Sequence, residues 1–296
     1  MDYTGFLPCV HVITVQINAI IREIIKRSLH LMLTPGNFVD FQNTRLHYAT
    51  AGSGPVPLLV FHGFGQDHQA FESWALSLEK EYRLFVFDLY FHGHSIWPGY
   101  GPLEKSAWKL IIGKFLEQEK ISLFEVAGFS LGGKFALATL EIFPEKIIKI
   151  VLLAPDGIKT SLWYSLATYP IAIRNLFKSM ILLPGRFYTM VKFLRSIGLV
   201  NKGMMRFAES QMDTEEKRKR VYDVWVCFRH LHFDIHYLVT ILNQFQIPLL
   251  LIIGKYDKVI PVKNMDHLLK GLHQKKFEII ESGHNDLVEK AMKFLL

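Results

Sequence analysis

Gly128-Phe129-Ser130-Leu131-Gly132-Gly133 is the stretch from which the rest of the chain can be read. An apolar run, Leu123 to Ala127, leads into it, and a segment with helical apolar spacing, Leu131 to Ile142, leads out. A serine flanked by glycines two positions before and two positions after, at a strand-to-helix junction, marks a turn too sharp for side chains at the flanking positions. Such a turn strains the backbone of its central residue and lifts the Ser130 hydroxyl above the strand end. The helix starting at Leu131 aims free backbone N–H groups at the same space, where negative charge can develop. Ser130 is therefore the candidate nucleophile.

Working outward, short apolar runs alternate with helix-sized segments. Val56 to Phe61, Leu84 to Phe87, Leu123 to Ala127, Ile147 to Leu153 and Pro248 to Ile253 read as buried parallel strands, with Phe277 to Ile280 the last. Phe38 to Gln42 and Arg45 to Ala49 read as a hairpin ahead of them. Gln69 to Glu81, Glu104 to Gln118, Leu131 to Ile142, Val262 to Leu272 and Asp286 to Phe294 carry helical spacing between the strands. The order is that of an α/β protein with a mostly parallel sheet flanked by helices. Asp156 to Pro248 breaks the alternation: it is rich in aromatic, Met and basic residues, and reads as a helical insertion. The uncharged run His236 to Gly254, which surrounds Pro248, reads as a loop feeding a strand.

A serine hydroxyl at its ordinary pKa is a weak nucleophile, so it needs a histidine base and a carboxylate to orient that base. His284, in Ser-Gly-His-Asn, follows the final strand, and Asp257, in Gly-Lys-Tyr-Asp-Lys-Val-Ile-Pro, follows the strand Pro248 to Ile253. Loops after parallel strands all emerge at one sheet edge, where ligand clefts form. Of the chain's 13 histidines, His284 alone sits in the last strand-to-helix loop after a suitable acid. His30, His47, His68, His230, His232, His236, His267 and His273 read as surface or satisfied core residues. Asp156, also at a strand end, is the rival acid, while the turn and the spacing to His284 favour Asp257. The N–H groups of Leu131 and of Phe64, in Phe61-His62-Gly63-Phe64-Gly65, are the candidate oxyanion donors. His62 reads as a side chain pinning that loop.

These motifs, with Asp88-Leu89-Tyr90-Phe91-His92-Gly93-His94-Ser95, resemble those of α/β-hydrolase fold proteins over roughly Phe38 to Leu296. The resemblance implies a Ser130-Asp257-His284 hydrolase with no metal and no organic cofactor, and a helical cap inserted after strand six, near Ala154. The implied organisation is an N-terminal extension over 1–36, a core over 37–158 and 246–296, and a cap over 159–245. Family members often carry Asp-Leu-Pro-Gly-His-Gly where this chain has Tyr90 and Phe91 in place of the Pro-Gly pair. Ser130 at the elbow argues against relatives that work through an ester to aspartate.

Composition bounds the rest. A chain of 296 residues, 50% hydrophobic and 21% charged, buries a real core and is neither disordered nor low in complexity. Two cysteines, Cys9 and Cys227, with no CxxC, indicate a reducing, cytoplasmic setting without a disulfide framework. The net charge is +7, and residues 160–247 hold 12 Lys and Arg against 6 Asp and Glu. With no nucleic-acid-binding signature, that surplus is read as a solvated face, with attraction to anionic lipids or acidic substrates left open, and no nucleic-acid partner is expected. Val10, Ile13, Ile17, Ile20, Ile21, Ile24 and Ile25 recur at helical spacing. The readings left open for that segment are peripheral membrane contact, a packing helix and a leader upstream of Met32.

In the insertion, Trp163, Tyr164, Tyr169, Phe177, Phe187, Tyr188, Trp225 and Phe228 suit an apolar substrate or form the insertion's own core. Arg174, Arg229 and His232 could meet a substrate carboxylate. The expected function is hydrolysis of small to medium apolar esters, with a small-molecule ester as the partner. Alternatives on the same triad are a C–C bond hydrolase, lipase, thioesterase or perhydrolase, and the fold also admits a non-catalytic ligand-binding protein.

Overall fold

The computed structural model describes residues 33–98, 101–159, 162–196 and 211–295. The amphipathic helix expected near the N-terminus lies outside them, as does Cys9. Eight strands form one sheet: β1 (Thr34–Phe41), β2 (Thr44–Ala51), β3 (Val56–Phe61), β4 (Tyr82–Phe87), β5 (Phe124–Phe129), β6 (Ile147–Leu153), β7 (Leu249–Gly254) and β8 (Lys275–Ile280). Their order is β1-β2-β4-β3-β5-β6-β7-β8. β1 and β2 pair antiparallel, β2 joins β4 antiparallel, and every pairing from β4 to β8 is parallel. The α/β class and the mostly parallel sheet stand as expected.

The continuous apolar runs exist because the parallel strands are covered on both faces. Every residue of β5 and β7 is buried. β8 sits at the edge, where Lys275 and Lys276 are exposed, the charged kind of side chain that discourages pairing with another chain.

The helices are α1 (Glu72–Ser77), α2 (Lys105–Gln118), α3 (Leu131–Ile142), α4 (Leu162–Thr168), α5 (Ile171–Leu182), α6 (Pro184–Ser196), α7 (Glu215–Cys227), α8 (Ile235–Gln244), α9 (Asp266–Leu269) and α10 (Leu287–Ala291). α3 is buried from Leu131 through Leu140, as a helix apolar on all sides must be. Trp108 of α2 donates its indole N–H to Thr139 Oγ1 of α3 at 3.0 Å. On the other side, Trp74 of α1 donates to the Val288 carbonyl of α10 at 2.9 Å, tying the start of the domain to its end.

α4 to α8 occupy the interval between β6 and β7. α5, α6 and α7 share an apolar cluster of their own, built on Met180, Ile181, Phe187, Val191, Met212 and Val221. No helix among the described residues is long and apolar enough to cross a membrane.

One expectation is corrected: the first half of the uncharged run His236 to Gly254 is helix α8, not loop, and its end is strand β7 as expected. Asp234 caps the helix by accepting the N–H groups of His236 and Tyr237, and Leu238, Ile241 and Leu242 are its buried side. Two helices are shorter than their apolar spacing suggests. Gln69 to Glu81 resolves into a 3-10 turn, His68–Phe71, followed by α1. Val262 to Leu272 resolves into a 3-10 turn, Val262–Asn264, and the single turn α9.

Candidate active site

Ser130 follows β5 directly, with φ 50° and ψ −115°, a conformation that costs a non-glycine residue energy. The surroundings enforce it. The Ser130 N–H donates to the Leu153 carbonyl of β6 at 2.9 Å, and its carbonyl accepts from Gly133 at 2.9 Å and Asp156 at 2.8 Å. On the inner side of the turn, a Cβ on Gly128 would lie 2.5 Å from the Gly132 carbonyl oxygen, so a side chain there is excluded.

Asp257 and His284 arrive from the ends of β7 and β8. The two loops are laced together, Lys255 N–H to the Ile280 carbonyl at 2.8 Å and Tyr256 N–H to the Ser282 carbonyl at 3.0 Å. Asp257 Oδ1 accepts from the N–H groups of Val259 and Ile260, both at 2.8 Å, so the carboxylate cannot turn. Its Oδ2 lies 2.6 Å from His284 Nδ1, and His284 Nε2 lies 3.0 Å from Ser130 Oγ. The carboxylate only accepts, so Nδ1–H is the donor and Nε2 is left as acceptor for the serine hydroxyl. The Phe129 ring, 4.9 Å from the imidazole, packs beside it. Asp156, the rival acid, faces elsewhere: Oδ1 accepts the Gly157 N–H and Oδ2 is 3.5 Å from Lys134 Nζ.

The loop after β3 carries Phe64. Gly63 N–H donates to Gln66 Oε1, Gly65 N–H to His92 Nε2, and Gln66 N–H to the Gly63 carbonyl. The N–H of Phe64 is thus the one in this turn without an acceptor among the described residues. Leu131 opens α3, where a first-turn N–H has no partner within the helix. His62 pins the loop: Nδ1–H donates to the Gly63 carbonyl at 2.7 Å while Nε2 accepts the Leu89 N–H at 2.9 Å.

A polar node behind this loop was not legible in the sequence. Buried Asp88 accepts His68 Nδ1–H and N–H on Oδ1, and His47 Nδ1–H and the His94 N–H on Oδ2. Burial alone would raise its pKa, but these four donors outweigh burial and hold the carboxyl well below its ordinary value. Gly93, at φ +48°, closes the node, for a Cβ there would lie 2.0 Å from Asp88 Oδ2. The ligand-type atoms of His47, His68 and Asp88 all lie within 4.8 Å of one another, as in a metal site. His47 also accepts the Gly36 N–H on Nε2, so both its nitrogens are engaged and the trio is read as a hydrogen-bonded brace.

The Tyr90-Phe91 departure leaves the turn intact. His92 N–H donates to the Leu89 carbonyl at 3.0 Å, and Phe91 takes φ 68°, the backbone that glycine favours at this place in a turn.

Among the insertion residues singled out, Tyr164, Tyr169, Arg229 and His232 line a cavity of about 440 Å³ above Lys134. Burial disfavours the Lys134 charge, but Asp156 and Tyr164 outweigh it and hold the ammonium above its ordinary pKa. Arg174 stays outside that cavity and donates to the Thr168 carbonyl at 3.4 Å. Phe177 and Trp225 pack on the α5–α7 cluster, and Phe64 packs against the same cluster from the core side.

A family model described as alpha/beta hydrolase fold matches residues 56–291. The dihydrolipoyllysine-residue acetyltransferase component of an acetoin cleaving system from Cupriavidus necator is 28% identical over 40% of this chain, which spans 32% of that protein. The poly(3-hydroxyalkanoate) depolymerase of Ectopseudomonas oleovorans is 24% identical over 87% of this chain and 91% of its own length. Among solved structures, a thermophilic esterase from Thermogutta terrifontis superposes with a TM-score of 0.62 at 18% identity, covering 88% of this chain and 95% of that one.

Proposed function

The chain belongs to the alpha/beta hydrolase fold family, and on that premise we propose that it is a serine hydrolase of carboxylic esters, taking small to medium apolar substrates through an acyl-enzyme intermediate. The observation that carries this reading is the unbroken hydrogen-bonded line from Asp257 through His284 to Ser130, at 2.6 and 3.0 Å.

Ser130 Oγ attacks the ester carbonyl carbon while His284 Nε2 takes its proton. The N–H groups of Phe64 and Leu131 hold the oxyanion that forms. Asp257 keeps the imidazole in the tautomer that can accept, and stabilises the imidazolium once it has. His284 then gives the proton to the departing alkoxide. A water deprotonated by the same nitrogen attacks the acyl-enzyme, and the proton returns to Ser130 as the acid leaves. Every proton in the scheme travels through His284, so the steps call for no metal or organic cofactor. The apolar α5–α7 cluster resting on Phe64, beside the proposed oxyanion site, supports an apolar substrate.

The test is hydrolysis of p-nitrophenyl esters from acetate to palmitate by the wild type and by Ser130→Ala. Turnover that falls by about 10⁴-fold or more in the variant supports the assignment, and the preferred chain length sizes the pocket. Labelling by a fluorophosphonate without ester turnover would move the reading to another bond, such as a thioester or a C–C bond. If neither labelling nor turnover occurs, Ser130 is not a working nucleophile and a ligand-binding role replaces the enzymatic one.

A further inference from the structure

The outer faces of α5 and α6 are unlike the rest of the surface. Their inner faces are already occupied, since Met180 and Ile181 of α5 and Phe187 and Val191 of α6 are buried in the local cluster. Large apolar side chains nevertheless continue around to the solvent side. Ile171 is 68% exposed, Leu182 72% and Phe193 62%, with Leu176 and Leu183 about half exposed. Isolated exposed apolar residues are ordinary, but five on one helix pair and the turn joining it make a patch of the kind that marks an interaction site.

The charge pattern says what kind of partner. α5 and α6 carry Arg174, Lys178, Arg186, Lys192 and Arg195 and no acidic residue, and no Asp or Glu occurs between Asp156 and Glu209. Arg186, Lys192 and Arg195 have no carboxylate partner among the described residues, although salt bridges are plentiful elsewhere, as at Lys105–Glu141 and Lys255–Glu281. A protein-binding surface is depleted in lysine at its apolar centre. An amphipathic surface with apolar side chains projecting between long cations is suited to the boundary between acyl chains and anionic headgroups. Tyr188, exposed on α6, adds a ring with a polar tip of the type enriched at that depth.

We propose that the outer face of α5 and α6 docks on an anionic lipid bilayer, with Ile171, Leu176, Leu182, Leu183 and Phe193 entering the interface and the basic side chains meeting the headgroups. The surface is separate from Ser130, and its test reads binding rather than turnover.

The full chain is sedimented with vesicles of phosphatidylcholine alone and of phosphatidylcholine mixed with phosphatidylglycerol. The wild type is expected to bind the mixed vesicles, to bind the neutral ones much less, and to be released by salt. The double variant Leu182→Ser, Phe193→Ser should lose binding. Lys192→Gln with Arg195→Gln should weaken it about 25-fold, at about fivefold per charge. All four positions are exposed, so unchanged thermal unfolding of the variants checks that they fold. Vesicle binding that survives both double variants would overturn the proposal and assign the contact to residues 1–32. Equal binding to neutral and anionic vesicles would overturn it too, as would a dimer that the variants dissolve in the absence of any vesicle binding.

Discussion

Gly132 lies so close to Phe61 that a methyl group on it would sit 2.0 Å from the Phe61 carbonyl oxygen. The start of α3 is thus set against the end of β3, and the serine turn and the Phe64 loop share one contact. No L side chain fits at Gly132 unless one of the two moves.

Gly132→Ala is therefore expected to destabilise the protein by about 3 kcal/mol or more, as overpacking of a rigid backbone contact does. Fluorophosphonate labelling of whatever folded protein remains should fall as well. Gly185, near the start of α6, has nothing within 4 Å of the position a Cβ would take, so Gly185→Ala should be neutral or stabilise by up to about 1 kcal/mol. Equal urea midpoints for the two variants would refute the contact.

Asp257→Asn keeps an oxygen for the Val259 and Ile260 N–H groups but turns an amide toward His284 Nδ1. The imidazole then carries its proton on Nε2, where it cannot accept from Ser130. The expected loss in kcat is about 10⁴-fold, with KM little changed. Asp156→Asn, whose carboxylate meets Lys134 and Gly157 instead, should lose less than about tenfold. Steady-state kinetics on one ester decide between them, and a larger loss at Asp156 would reassign the acid.

Burial holds both His62 and His92 below the ordinary histidine value, His92 at about 3. Burial favours the neutral form of both in the folded state, whereas an unfolded histidine takes a proton near pH 6.5. A depressed folded pKa contributes stability that is complete above the unfolded value and lost as the pH falls toward the folded one. As the pH falls below about 6.5 both residues should cost stability, His92 by about 1.4 kcal/mol per pH unit. His68 has the opposite sign: the hydrogen bond to Asp88 raises its pKa, so its contribution is complete below the unfolded value and fades as pH rises through the folded one. Stability should peak near neutrality. Urea unfolding at pH 5, 6 and 7 measures this, and equal midpoints at pH 5 and 7 would contradict it.

Phe91 holds φ 68° while its ring lies 6.0 Å from that of Phe228. Removing the ring costs packing in any variant, but only glycine also relieves the backbone. Phe91→Gly should thus be more stable than Phe91→Ala by about 1 kcal/mol, against the usual order in which alanine is favoured. Thermal midpoints of the pair, with alanine the more stable, would show the turn to be unstrained.

Which parts of this molecule can be read from sequence follows from what the residues must do locally. β3 and β6 match their apolar runs end to end because their last four residues are buried on both faces, and Lys149, in the less buried first half of β6, is the one polar residue the two strands hold. Ser130, Asp257 and His284 could be nominated because nucleophile, acid and base must come from few residue types at one sheet edge, and the fold brings these three within hydrogen-bond reach. α8 escapes such a reading because the absence of charge masks a helical spacing that Leu238, Ile241 and Leu242 display. The Asp88 node could not be read at all. His47 reaches Asp88 only because β2 pairs with β4 in the sheet, a long-range fact that no local pattern carries.

β6 and β7 are adjacent and in parallel register, Leu153 beside Ile252. The chain leaves the sheet at the end of β6, Leu153, and returns at the start of β7, Leu249, which pairs with Ile150, so the whole run of α4 to α8 is hung from two points about 11 Å apart on neighbouring strands. A segment attached in this way can change in length, composition or helix count over generations without disturbing the pairing on either side. Changes there leave the strand pairings that hold Ser130, Asp257 and His284 at the sheet edge mechanically untouched.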